Sequence, residues 1–259
     1  MTTTGSTGFR VEIADGIAVV TVDRPKANAI DAATSFAMGE AFVGFESDPA
    51  VRVAIVPGAG ERFFSAGWDL SADEAFDSDY GAGGFGGFVD LPNRTVPVIA
   101  AVNGMAVGGG FEIAMAADMI VAADHAQFWL PEAALGILPD TGSVRLPKLL
   151  PPQLAREVLY AGRRLSAADA ERFGIVNRVV PGAELLAAAR ELAGRVVANA
   201  PLSVAAIMDI ERRTAHLGPI EAMAELRTYE SYRRAIDSDD AQEGTFAFGE
   251  KRPPVWHGR

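Results

Sequence analysis

Two glutamates carry the sequence's clearest chemical signal. Glu112 follows the triple glycine Gly108-Gly109-Gly110 in AVNGMAVGGGFEIAMAAD, and Glu132 follows Pro131 in WLPEAALG. Each falls on what reads as the first turn of a helix, where an acidic side chain stabilises the positive end of the helix dipole by up to ~1 kcal/mol. A second use is open to both. In apolar surroundings and beside another carboxylate, the proton affinity of a glutamate rises, which suits general acid–base work. Spacing alone does not bring the two side chains together, so both uses stand at this point.

The glycines supply the complementary half of such a site. Between a strand and a helix the backbone N–H groups lack partners, and a chain without side chains lets a ligand oxygen come close to them. One donor is half of an oxyanion hole. The stretch RFFSAGWDL, a β-type run into Ser65-Ala66-Gly67, offers a second turn with N–H groups to spare. Each donor aimed at a developing enolate oxygen is worth about 3–4 kcal/mol.

These segments need a scaffold. FRVEIADGIAVVTV reads as two strands around an Asp15-Gly16 turn, ATSFAMGEAFVGF as a helix, and VRVAIVPG as a buried strand. VPVIAAVNG, GGGFEIAMAAD and MIVAAD continue as strand, helix, strand, and LSAADAERFG is a helix opened by Ser166 and stopped by Gly174. After the strand IVNRVV the pattern from Gly182 is almost wholly helical. Alternation followed by helices predicts an α/β core with parallel pairing, over 1–195, and a C-terminal helical region, over 196–259.

Composition narrows the function classes. The chain of 259 residues has no cysteine, which excludes disulfides, thiolate metal sites and cysteine nucleophiles. A net charge of −11 opposes nucleic-acid binding. The N-terminal MTTTGSTGFR has no secretory pattern, and the longest apolar run contains Asn103, Glu112 and Asp118, so a cytoplasmic protein without a membrane span is expected. No metal site is read: His125, His216 and His257 stand apart from ligand partners. The literal GxGxxG at Gly81, Gly83 and Gly86 follows acidic, non-strand sequence and reads as a mobile lid rather than a dinucleotide site.

Taken together, NGMAVGGGFEIAMAAD, FFSAGWDL and QFWLPEAALGILPDTG resemble, in collinear order, the enoyl-CoA hydratase/isomerase (crotonase) superfamily. RPKANAID, GIVNRVV and AFGEKRPPVWHGR narrow the likeness to its carnitinyl-CoA dehydratase group. The resemblance implies a ClpP-like spiral of ββα units with C-terminal helices that assemble a homotrimer or a dimer of trimers. It implies reversible syn addition of water to a short trans-2-enoyl-CoA, with crotonobetainyl-CoA among the candidates. Glu112 and Glu132 match the catalytic pair, and the N–H groups of Ala66 and Gly109 match the oxyanion hole. Lys26, Ala27, Ala29, Ser65, Gly67, Trp68, Asp69, Leu70 and Gly108 match the coenzyme A and acyl strip. Phe248 and Lys251 match tail positions near coenzyme A. No cofactor is implied, because coenzyme A is carried by the acyl thioester substrate.

Two departures bear on the acyl group. Asp140 stands where many hydratases have glycine, and Trp129 replaces a small residue. Trp129 reads either as a plug in the acyl pocket or as core, and with Trp68 it would form part of a cage for a quaternary ammonium. A Δ3–Δ2 enoyl-CoA isomerase, needing a single base, is the alternative reaction. A non-catalytic acyl-CoA or RNA binding protein is the alternative class.

Overall fold

The computed structural model describes residues 8–75 and 78–258. The leading MTTTGST, where no secretory signal is read, lies outside the described residues, as do Phe76 and Asp77 of the acidic loop and the terminal Arg259.

In chain order the elements are β1 (Phe9–Ala14), β2 (Ile17–Val22), α1 (Ala32–Phe45), β3 (Val53–Pro57), β4 (Phe63–Ser65), β5 (Val98–Val102), β6 (Met105–Val107), α2 (Gly109–Ala116), β7 (Met119–Ala123), β8 (Gln127–Trp129), α3 (Glu132–Leu135), α4 (Asp140–Leu149), α5 (Pro152–Ala161), β9 (Leu165–Ser166), α6 (Ala167–Arg172), β10 (Arg178–Val180) and α7 (Leu185–Val197). Four more helices follow: α8 (Pro201–Thr214), α9 (Pro219–Glu225), α10 (Glu230–Ile236) and α11 (Asp239–Glu250).

The strands form two sheets, a six-stranded one ordered β1-β2-β3-β5-β7-β10 and a four-stranded one ordered β4-β6-β8-β9. Among the described residues only the β1–β2 and β8–β9 pairs are antiparallel. β1 and β2 are closed by Asp15 and Gly16, both at positive φ as a two-residue hairpin turn requires. The strands β2, β3, β5 and β7 are Val-, Ile- and Ala-rich and buried almost throughout, as expected of parallel strands covered on both faces.

The chain visits the sheets alternately. β3, β5 and β7 join the large sheet, and the strand after each, β4, β6 and β8, joins the small one. Sharp corners make this possible, and two asparagines hold them. Asn103, between β5 and β6, accepts from Gly58 N and donates to the carbonyls of Gly60 and Phe63. Asn28 donates to Ala59 O and Phe63 O from the other side. At the β5–β6 corner a Cβ on Gly104 would lie 2.4 Å from Arg62 O, so only glycine fits.

Two compact units emerge. One comprises the described residues up to Pro92 together with Pro97–Ala193, and the other Asn93–Val96 with Gly194–Arg259. In the second unit α8 packs on α10, where the Arg213 guanidinium lies 3.7 Å from the Tyr229 ring centre and Ser231 donates to Asp209. Its tail is tied down by buried Asp240, which accepts from His257 N and Gly258 N. Among the described residues no single helix is long and apolar enough to cross a membrane.

Candidate active site

The small sheet positions the chemistry. β6 ends at Gly108, whose φ of +55° turns the chain into α2, and β8 ends just before α3. Because β6 pairs with β8, α2 and α3 begin side by side: Gly108 N donates to Trp129 O at 2.8 Å. A Cβ on Gly108 would lie 2.6 Å from Glu132 Oε1. The glycine is therefore required twice, by its dihedral angle and by the carboxylate packed against it.

Glu112 and Glu132 line one cavity of about 410 Å³, together with Gly109, Trp68, Tyr80, Phe85, Asp90, Ile137, Leu138, Asp140 and Thr141. Glu112 accepts from Gly142 N at 2.7 Å. Burial pushes its carboxyl up to about 7, opposed by the Gly142 N–H and assisted by the like charges of Glu132 and Asp140. Glu132 is only 6% exposed, and its Oε2 has no hydrogen-bond partner among the described residues. Burial raises its carboxyl as well. A buried acceptor without a donor is costly, and a polar hydrogen of a bound molecule would satisfy it.

The backbone donors need one correction. Gly109 is the first residue of α2, so its N–H has no partner within the helix, and it lines the cavity. Gly67 (φ +83°) packs onto it, with a Cβ there falling 2.6 Å from Gly109 N. The N–H of Ala66, expected as the second donor, is instead bonded to Ala27 O at 2.9 Å. Gly67 N donates to Ser65 Oγ, and Asp69 N to Ile30 O. Trp68 is the residue of this turn that lines the cavity beside Gly109. The turn runs as a short parallel bridge against Ile30, in which Ile30 N donates to Gly67 O and Asp69 N donates to Ile30 O.

The other expected residues divide by location. Ser65 is buried, its hydroxyl donating to Asn28 O and accepting from Gly67 N, so it shapes the turn rather than facing a ligand. Segments 27–30 and 66–69 are laced together by main-chain bonds, which sets Ala27 and Ala29 beside the turn leading to Asp69 and exposed Leu70. Asp69 pairs with Arg24 at 3.1 Å and accepts from Ser71; Arg24 also pairs with Asp31. Lys26 is exposed, at a φ of +74°. Phe248 and Lys251 belong to the second unit, at the end of α11, with Phe248 exposed.

Trp129 does not share the cavity with Trp68. It lines a separate one of about 240 Å³ with Phe63, Ala66, Met105, Val107, Gln127 and Arg164, and the Arg164 guanidinium sits 4.0 Å from its ring centre. Along β8, Phe128 packs on Phe111 of α2 while its neighbour Trp129 points to the opposite face, as strand alternation dictates. The tryptophan cage is thus not formed.

The glycine-rich segment also differs from the expected lid. Gly83, Gly84, Gly86, Gly87 and Phe88 are buried, and a Cβ on Gly87 would lie 2.6 Å from Gly39 N of α1. These glycines allow close packing on α1. The packing carries Tyr80 and Phe85 to the cavity, and neither was singled out from sequence, although one immediately precedes the GxGxxG and the other lies within it. Gly142, Ile137, Leu138 and Thr141 were likewise missed, since nothing in a loop sequence tells which residues turn inward. Among the described residues no group of three or more His, Asp or Glu is set to hold a metal ion.

The enoyl-CoA hydratase/isomerase family model matches residues 12–259. Carnitinyl-CoA dehydratase of Escherichia coli K12 is 57% identical over 246 residues, covering 93% of this chain and 94% of that protein, and the Shigella flexneri protein of the same name matches equally. The crystal structure of an enoyl-CoA hydratase from Mycobacterium tuberculosis superposes with a TM-score of 0.89 at 36% identity, over 98% of this chain and 100% of that one. One from Mycobacterium marinum gives 0.90 at 37%, with the same coverage. With its ββα spiral, its paired carboxylates and this likeness over nearly its whole length, the chain belongs to the enoyl-CoA hydratase/isomerase family.

Proposed function

We propose that the chain is a hydro-lyase that reversibly adds water to a short trans-2-enoyl-CoA. The observation that carries this is the presence of Glu112, Glu132 and the N-terminus of α2 at Gly109 in one cavity. The thioester oxygen accepts from Gly109 N–H and from the main chain at Trp68, in place of Ala66. That interaction makes Cβ electrophilic and stabilises the enolate-like charge. A water held between the carboxylates gives its oxygen to Cβ, one glutamate taking a proton from it, and Cα receives a proton from the pair. No electrons are exchanged, and coenzyme A arrives with the substrate. The relatives named carnitinyl-CoA dehydratase support an acyl group of the carnitine type.

Lys26, Ala27, Ala29, Asp69 and Leu70 form the proposed coenzyme A strip, supported by the main-chain bonds between 27–30 and 66–69. Phe248 and Lys251 are proposed as contacts from the helical region, which assembles the chain into a homotrimer or a dimer of trimers. Exposed Ile220, Phe246 and Phe248 support that assembly.

Glu112→Gln and Glu132→Gln test the mechanism. Each is expected to lower kcat for hydration of crotonyl-CoA by about 10²–10⁴-fold, followed as loss of enoyl absorbance. Near-normal turnover in either overturns the two-carboxylate mechanism. Retained Δ3–Δ2 isomerisation in the absence of hydration would favour the single-base reaction.

A further inference from the structure

The two turns that bring Trp68 and Gly109 to the cavity each hang from the end of a short strand, β4 and β6. The ladder between these strands does little to fix the spacing of the turns. Phe63 pairs with Met105 and Ser65 with Ala106, so β4 carries one residue more than β6 over this stretch. Two amides that must reach one oxygen need firmer support than that.

Side chains alternate across the small sheet. Phe64, Ala106 and Phe128 are buried on one face, whereas Phe63, Met105, Val107 and Trp129 lie on the other and are half-buried. Trp129 stands opposite Val107 in the β6–β8 register. It shares the wall of the cavity of about 240 Å³ with Val107 and Ala66. Val107 leads directly into Gly108 and Gly109, and Ala66 comes two residues before Trp68. The main chain of Trp129 contributes as well, since its carbonyl accepts from Gly108 N at 2.8 Å. The ring is itself held. β9 runs antiparallel to β8 with Leu165 opposite Phe128, which sets Arg164 beside Trp129, and the guanidinium lies 4.0 Å from the ring centre.

We propose that Trp129, pinned by Arg164, is a positioning residue for the oxyanion hole, supporting both turns from outside the active cavity. The inner side of the pair is fixed by close glycine packing: a Cβ on Gly67 would fall 2.6 Å from Gly109 N, and one on Gly110 2.1 Å from Ser65 O. The indole supplies the outer support. A small residue at 129 would leave Ala66 and Val107 with solvent behind them, and the turns they lead into could separate. The inference rests on Gly109 and the main chain at Trp68 being the two donors.

Butanoyl-CoA carries the same thioester without a double bond to hydrate, so its carbonyl reports on the grip without turnover. With that carbon labelled as ¹³C, isotope-edited infrared spectra of the bound ligand are expected to show a stretch lowered from its free position. Trp129→Ala is expected to lose about half of that lowering or more. Its kcat for crotonyl-CoA hydration should fall by about 10- to 100-fold, with KM within about 3-fold. Trp129→Phe should keep both, and Arg164→Gln should lower kcat by about 3-fold. A purely structural role would reduce the Tm of Trp129→Ala and leave the stretch at its wild-type position; that result overturns the proposal, as does wild-type kcat in this variant. Should Trp129→Ala fail to fold, Trp129→Leu and Arg164→Gln are read in the same way, and an unmoved stretch in both overturns it equally. A wild type that leaves the carbonyl unshifted removes the oxyanion hole together with its support. A shifted carbonyl in a protein that hydrates no enoyl thioester sinks water addition alone, and the variants still decide on Trp129.

Discussion

Glu112 behaves as it does because of where its carboxyl is kept. Its ordinary value of 4.5 rises to about 7, mainly through burial. A carboxyl that binds its proton more tightly when folded contributes stability in full below pH ~4.5 and loses it as pH climbs through about 7. Glu112→Gln cannot undergo that loss. Urea unfolding is therefore expected to show the variant gaining on the wild type by about 2–3 kcal/mol between pH 5 and pH 8. A difference independent of pH would mean that the carboxyl is not desolvated. The same group should place an inflection near neutral pH in the profile of kcat/KM, shared with Glu132, and the Gln variant should lack it.

At the scale of elements, the site depends on a close approach between the 65–68 turn and the start of α2. Gly67→Ala would place a methyl group 2.6 Å from Gly109 N and 2.8 Å from Val107 O. Crotonyl-CoA hydration should fall by at least about 10²-fold, the effect of losing one oxyanion donor. Gly60→Ala is the control, having a similar φ of +79° but nothing within 4 Å, so it should cost about 1 kcal/mol of stability and leave the rate alone. Equal losses of activity in the two variants would assign the effect to backbone strain. The large sheet, α1, α2 and the cap at Ser166 were legible in the sequence because hydrophobic period and capping chemistry are local. The small sheet was not. Its strands β4, β6, β8 and β9 have two or three residues each, too few for any period to register. Ala66 was misassigned for a related reason: which N–H of a turn is spent depends on its pairing with Ala27 and Ile30, nearly 40 residues earlier in the chain. Glu112 and Glu132 were visible as types and positions, but their meeting is a product of the β6–β8 pairing.

Across the whole molecule, a chain of net charge −11 keeps large apolar side chains in water, among them Phe246 at 63% exposure and Ile220 at 89%. A charged surface interrupted by such residues suits self-association through defined patches. Sedimentation equilibrium at micromolar concentration is expected to give a mass of three or six chains. A 27.2 kDa species would show that these residues serve something other than assembly.

The glycines at 67, 108 and 109 have a consequence for how the cavity can change. Each is hemmed in by a group from a different stretch of chain: the Gly109 amide, the Glu132 carboxylate and the Phe85 ring. In this floor a side chain at 67 or 108 would move the reacting groups themselves, and one at 109 would displace the Phe85 ring. Tyr80, Ile137, Leu138 and Asp140, from the segments 80–85 and 137–141, line the opposite part of the same cavity, its ceiling, with side chains rather than bare backbone. Libraries meant to redirect acyl preference should therefore randomise the ceiling and leave the floor untouched.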